Sequence, residues 1–517
     1  MKLFVRLATL ALALVVLTGL AAACAQPGDD SSDTTTVSDK SPDHFSDDDI
    51  DGETPYDTDS NGFVLDNLPD DLDYENAEVS VLHWVAEHDE FVSEGITGDN
   101  ILDNIYYRNL NIEDRLGVTL KFEECPGNMA NSERFTQRVE SSYKSGEKLY
   151  DIVATYSCTA GQIAIGGYYA DLNYIDDSYI DTDMPWWPTS VTEGLSVGDA
   201  LYYISGDAST NMLYFMYTIY YNKDLLGELG LTDPTEYVLD KTWTLDKLIE
   251  MSSNRYSDKD GDGQLSEGDF YGFGTIYYGA DAFYTGSDLK LVESTYDSDL
   301  LEISDDYFSD KTVELVAKLG KWMVTNDCYI CRHDLDGAKV KYHAPFIAGR
   351  MLFLQERVDI TYNKTLYGLN SVKWKYGIVP TPLYDENQEN YVTVVGNPFT
   401  LYGIMNDCDD EEKTMLTAVL ECWGSEAYRL TSPALFEINM KCKYTNVDTA
   451  AQMFDILRET SCFDQGRIYN LSLGPLMPDI PSRVMTVNGS WEEEMKDYKT
   501  LLGNQLKQII SSFRKIQ

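Results

Sequence analysis

The sequence predicts an α/β protein of at least two lobes with a helix-rich C-terminus, and three observations carry that reading. Strand-like and helix-like segments alternate from about residue 78, the pattern of a mostly parallel sheet covered by helices. The chain is 517 residues long with 43% hydrophobic and 24% charged residues, too apolar for disorder and too long for one core. From about residue 411 the apolar residues recur at helical rather than strand spacing.

In chain order, Val79–Val85 is β-branched and apolar, Asn100–Leu116 carries Ile101, Ile105, Leu110, Ile112 and Leu116 near helical spacing, and Val118–Glu123 alternates at period two. Ser132 is placed to cap a helix running through Tyr143, and Tyr150–Thr155 is a short apolar strand. Leu213–Tyr221 is continuously apolar and aromatic, which predicts a strand buried on both faces. Thr244 is the expected N-cap of a helix that follows Trp243, and Lys311–Val324 is amphipathic. Glu411–Trp423, Asp448–Glu459 and Glu492–Phe513 are the predicted C-terminal helices. In the last of these Met495, Tyr498, Leu502, Ile509, Ile510 and Phe513 share one face.

Charge narrows the partners. With 39 Lys and Arg against 87 Asp and Glu, the net charge of −48 argues against a phosphate-backbone partner and against adhesion to anionic lipid through the protein surface. Attachment to a membrane then requires a discrete anchor. Lys2 and Arg6 precede the apolar run Leu7–Leu20, and Ala21–Ala23 lead to Cys24, the layout of a secretory signal. It resembles a bacterial lipoprotein signal, with Ala21 where that family usually has Leu. This implies that residues 1–23 are removed, that Cys24 is lipidated, and that the protein stands on the outer face of the cell membrane. The other reading, an uncleaved anchor, has barely enough apolar length to span a bilayer. Ala25–Glu78 holds 18 acidic residues and one Lys, so residues 24–77 are expected to form an extended, self-repelling linker. Eight further cysteines permit disulfides without requiring them, and Cys328-Tyr-Ile-Cys331 with His333 is at most half of a zinc site.

Several phrases, in order, resemble the extracellular solute-binding proteins of ABC importers, the class that includes maltose-binding protein and more narrowly its carbohydrate-type members. They are Tyr150-Asp151-Ile-Val153, Tyr169-Ala-Asp171-Leu172, Leu201-Tyr-Tyr203 with Gly206-Asp207, Ile219-Tyr-Tyr-Asn-Lys-Asp-Leu-Leu226, Trp243-Thr-Leu-Asp-Lys-Leu248, Phe346-Ile-Ala-Gly-Arg-Met-Leu-Phe353 and Tyr376-Gly-Ile-Val-Pro-Thr-Pro382. The resemblance implies a periplasmic-binding-protein-like fold whose lobes close on a ligand by a hinge. Lobe one is expected over 78–214 and 356–400, lobe two over 215–355 and 401–517. It further implies a sugar or oligosaccharide ligand, ABC permease subunits as partners, a monomer, and no chemistry performed on the ligand.

Asp258-Lys-Asp260-Gly-Asp262-Gly263-Gln264 through Asp269 places oxygen donors at the first, third, fifth, seventh and twelfth positions of a loop with Gly at the sixth. That spacing suits a hard cation, so Asp258, Asp260, Asp262, Gln264 and Asp269 are expected to hold a structural Ca²⁺. The departure is Asp rather than Glu at the twelfth position.

A sugar offers apolar C–H faces rimmed by hydroxyls, which calls for flat aromatics and for carboxylates or amides. Candidates at strand ends and lobe crossings are Trp84 and Glu87, Tyr156 and Ser157, Asp207, Tyr277 and Tyr278, Glu356 and Arg357, and Asn397. Trp186 and Trp187 are read either as a stacking platform or as pins holding a loop to lobe one. Two other functions stay open: a secreted glycosidase, which needs only a carboxylate pair, and a binder of peptides or another non-sugar solute. The sequence has no HExxH or GxxxxGK[ST] motif, and its five histidines show no metal or triad spacing.

Overall fold

The computed structural model describes residues 56–188, 190–295, 300–331, 342–362, 368–441, 447–474 and 479–516. The signal segment, Cys24, most of the acidic stretch and His333 lie outside them. Phe63–Gln517 forms one compact unit.

Two sheets organise that unit. Strands β1 (Ala77–Trp84), β2 (Val118–Cys125), β3 (Ile152–Tyr156) and, from much later in the chain, Thr400–Ile404 form a four-stranded sheet in the order Thr400–Ile404, β3, β1, β2. β1 runs parallel to β2 and β3, and the late strand is antiparallel to β3. The second sheet has five strands: Tyr376–Val379, β4 (Tyr217–Asn222), Met351–Arg357, β5 (Tyr271–Ile276) and Cys328–Cys331, in that order. β4 is antiparallel to both its neighbours, whereas β5 is parallel to both of its own. Both sheets are mixed, and their middle strands are buried on both faces, as continuous apolar runs require.

The local signals explain the elements. Helix Asn100–Leu116 starts where the Asp99 carboxylate accepts from the Ile101 and Leu102 amides, and ends at Gly117, whose φ of 60° favours glycine. Thr244 caps Leu245–Ser252 as expected. Asp409 and Glu412 form a reciprocal capping box for Asp410–Arg429. The strand expected at Leu213–Tyr221 is corrected: Thr210–Tyr214 is a helical turn capped by Ser209, and the strand begins at Tyr217.

The lobe boundaries also differ from expectation. Tyr376–Val379, expected in lobe one, pairs with β4 in the five-stranded sheet, and Thr400–Ile404 belongs with the four-stranded sheet. Helix Asp410–Arg429, expected over lobe two, packs on Asn100–Leu116. The final helix Trp491–Ile516 touches both lobes: the Trp491 indole donates to the Tyr307 carbonyl, while Phe513 stacks on Tyr202. The expected linker is shorter than residues 24–77, because its last part is packed. Leu68 is buried, Phe63 meets Tyr428 edge to face, and Asp66 accepts from Arg115 and Ser425.

Candidate functional site

Three segments cross between the lobes side by side. The Val358 amide donates to the Met216 carbonyl and the Gly396 amide to the Phe215 carbonyl. These crossings bring the C-terminal ends of β1, β3, β5 and Met351–Arg357 toward one region, the place where α/β sheets gather ligands.

On the five-stranded side, Glu356 and Arg357 end their strand and Tyr277 and Tyr278 follow β5. Glu356 is 4% exposed. Its Oε2 accepts from the Tyr342 hydroxyl and lies 2.7 Å from His343 Nε2, and its Oε1 accepts from the Arg357 amide at 2.8 Å and from Arg357 Nε at 3.3 Å. Burial alone would push this carboxyl up, but His343, Arg357 and Tyr342 together hold it below the usual carboxylate range. The Arg357 guanidinium lies over the Phe215 ring at 4.7 Å. Tyr277 and Tyr278 are half-buried, and burial pushes the Tyr278 hydroxyl up to about 12, with Arg357 and Glu356 close enough to act on it. His88, from the loop after β1, packs against Tyr214, Phe215 and Tyr362.

On the four-stranded side the expected residues divide differently. Trp84 is fully buried: its indole donates to Thr400 Oγ1 at 2.7 Å, and that hydroxyl in turn donates to the buried Glu90. A sugar cannot stack on it in this arrangement, and its ring meets Tyr156 edge to face at 5.4 Å. Ser157 Oγ donates to the Asn397 carbonyl at 2.8 Å, so these two candidates close the junction between β3 and the third crossing. The Asn397 Oδ1 is buried without a partner, and Glu87 is exposed. Asp207 stands apart, in a buried pair with Arg458 beside Trp186 and Trp187. Both tryptophans are buried, and Trp187 donates to Glu421 at 2.9 Å. That arrangement pins the loop.

Sequence reading missed Tyr342, His343, Asp281 and Arg467. Arg467 Nη1 donates to Asp281 Oδ2 at 2.6 Å, joining a helix packed on Ser157–Ile165 to the turn after β5. The same helix is capped by Asp464, which accepts from the Leu291 and Gly466 amides, and burial pushes Asp464 up to about 6. None of these pairs has a local spacing that a sequence pattern would reveal. A separate cavity of about 1080 Å³ is lined by Glu193, Lys290, Tyr384, Tyr391 and Asp464, and by none of the expected ligand residues.

In the acidic loop, one oxygen from each of Asp258, Asp260 and Asp262 lies within 4.8 Å of the others, all three residues being exposed. Asp258 Oδ2 accepts from the Gly263 amide at 3.0 Å. Asp269, buried, instead accepts from the Lys259 and Ser266 amides, at 2.9 and 3.1 Å. It clasps the two ends of the loop together. Among the described residues no zinc-like cluster forms at Cys328 and Cys331, and no cysteine is disulfide-bonded. No helix of the described residues is long and apolar enough to cross a membrane.

No family model matches the chain, and no curated protein does. Solved structures do. A cyclo/maltodextrin-binding protein complexed with maltotetraose aligns with a TM-score of 0.54 at 12% identity, over 84% of this chain and 98% of that one. A cyclic α-maltosyl-1,6-maltose binding protein from Arthrobacter globiformis aligns at 0.52 and 14% identity, over 84% and 99%. The galacto-N-biose-/lacto-N-biose I-binding protein of an ABC transporter from Bifidobacterium longum aligns at 0.50 and 10%, over 84% and 98%. At such identities the shared property is the fold, the two-lobed α/β architecture of solute-binding proteins, and it extends over nearly the whole of each of those chains.

Proposed function

We propose that this chain is an extracellular solute-binding protein that captures a sugar or oligosaccharide between its lobes and delivers it to an ABC permease. The observation that carries the reading is the crossing region itself. Within a fold shared with sugar-binding carriers, it sets the half-buried Tyr278 beside the arginine that ends Met351–Arg357, with Tyr277 edge-on to Tyr278 and the half-buried Tyr362 against His88. Flat rings and a charged donor fork match the C–H faces and hydroxyl rim of a saccharide. The protein does no chemistry on its ligand. Cys24 tethers it to the outer face of the membrane, and the acidic stretch after Cys24 holds it clear of that surface.

Thermal unfolding of the protein against mono- and oligosaccharides and short peptides tests the assignment, because a ligand that binds only the folded state raises the midpoint. A rise with sugars supports it. Stabilisation by peptides alone replaces the sugar with a peptide, and release of reducing ends from a polysaccharide makes the protein a hydrolase.

The Asp258 loop fits a calcium ion in part. Asp258, Asp260 and Asp262 supply a compact set of hard oxygens, the Gln264 carbonyl is available at the seventh position, and Asp269 braces the loop. The ion would neutralise three mutually repelling carboxylates and rigidify the lead into β5. Chelator is expected to lower the unfolding midpoint, and Asp260→Asn to remove the difference between calcium and chelator. An unchanged midpoint in chelator refutes the site.

A further inference from the structure

The geometry points to Arg357 as the residue that orients the ligand, with Glu356, His343 and Tyr342 as positioning residues behind it. This rests on the sugar-binding reading and deepens it. A buried carboxylate at a strand end is the obvious ligand contact, yet both oxygens of Glu356 are already engaged, one by Tyr342 and His343 and the other by the Arg357 amide and Nε. Nothing of Glu356 is left for a hydroxyl.

The arginine is the reverse case. Its Nε is tied to Glu356 at 3.3 Å, one face of the guanidinium lies over Phe215 at 4.7 Å, and its stem packs on Gly396, where an added Cβ would come within 3.3 Å of Cδ. Held on three sides, the group can present its outer edge in only one direction. Neither Nη atom has a hydrogen-bond partner among the described residues, and 11% of the side chain remains exposed. A fixed planar fork with unpaired N–H groups reads two adjacent oxygens at once.

Charge selects between the two kinds of ligand that offer such oxygens. Glu356 and Asp359 both lie beside Arg357, and His88 Nε2 stands 3.9 Å from Asp359 Oδ2. With His343 also against Glu356, the positive charge of the arginine is already offset, and a ligand carboxylate would find no uncompensated positive charge to meet. The ligand is a neutral saccharide contacted through neighbouring hydroxyls, not a uronate.

The test is titration calorimetry on the whole protein with maltotetraose, cellotetraose, xylotetraose and trigalacturonate, comparing the wild type with Arg357→Met, Arg357→Lys and His343→Gln. For the neutral sugar the wild type binds, Arg357→Met is expected to lose about a hundredfold in affinity, and Arg357→Lys at least about tenfold, because the charge remains but the fork is gone. His343→Gln is expected to weaken binding about tenfold alone and to add nothing on top of Arg357→Met, since both act through one group. Should Arg357→Met fail to fold, the Arg357→Lys and His343→Gln results decide. Wild-type affinity in Arg357→Met or Arg357→Lys, additive losses in the double variant, or tighter binding of trigalacturonate than of any neutral sugar overturns the inference alone. Failure of the wild type to bind any of the four overturns the sugar reading and the inference together.

Discussion

Trp84 shows how one residue can look like a binding contact and serve the core instead. It stands at the end of β1, where a sugar-stacking ring would be sought, but it is fully buried and donates to Thr400, which also serves Glu90. Trp84→Ala is therefore expected to cost about 3–5 kcal/mol of stability, measured by denaturant unfolding, while the folded fraction keeps its sugar affinity. A selective loss of affinity at unchanged stability would refute the core role. Glu421 is the second telling residue. Burial pushes its carboxyl up to about 8, against hydrogen bonds such as the one from Trp187. A folded-state value above the unfolded one means that the folded protein holds the proton more tightly. The resulting stabilisation is complete below the unfolded value of about 4.3 and is lost as pH rises through about 8. Glu421→Gln should flatten the decline of the unfolding midpoint between pH 5 and 9; an unchanged slope would place the pH dependence elsewhere.

At the scale of elements, spacing in the sequence revealed what is local and missed what is assembled. The helix Asn100–Leu116 and the cap at Thr244 were legible because their signals lie within a few residues. The helical turn at Thr210–Tyr214 was not, because an apolar aromatic run buries equally well as helix or strand, and only the Ser209 cap separates the two. Glu356 and Arg357 were legible as a strand end, but Tyr342 and His343 were not, because the contact that gives them meaning spans more than a dozen residues. The arm before β1 was misread for a related reason. Its acidic composition suggests a solvated tail, yet Asp66 is a buried partner for Arg115 at 2.7 Å and for Arg429 at 3.7 Å. A chain beginning at Glu78 should therefore unfold at lower temperature than one beginning at Tyr56, since two arginines lose their carboxylate and Leu68 leaves the surface it covers. Equal midpoints for the two chains would mean that the arm contributes no stability.

A carrier of the proposed kind opens and closes, and in this chain the covalent crossings are not the only links between the regions around the two sheets. Arg467 ties the helical region beside Ser157–Ile165 to Asp281 in the turn after β5, and Asp464 accepts from Leu291 in the same stretch of the other lobe. The Arg467–Asp281 pair leaves Arg467 Nε and Asp281 Oδ1 buried without partners, so the junction combines a charged contact with two unsatisfied atoms. Opening would hydrate both. Such a balance lets a modest ligand energy decide between states, because a population moves only by the difference in affinity for the two. Arg467→Met removes the contact and leaves Asp281 buried with no counter-charge, which favours the open form. Without ligand, its radius of gyration by small-angle scattering should exceed that of the wild type. At saturating sugar the two should converge, with the affinity of the variant reduced because part of the binding energy is now spent on closing. A variant as compact as the wild type in the absence of sugar, yet weaker in binding, would instead make Arg467 a contact of the ligand itself.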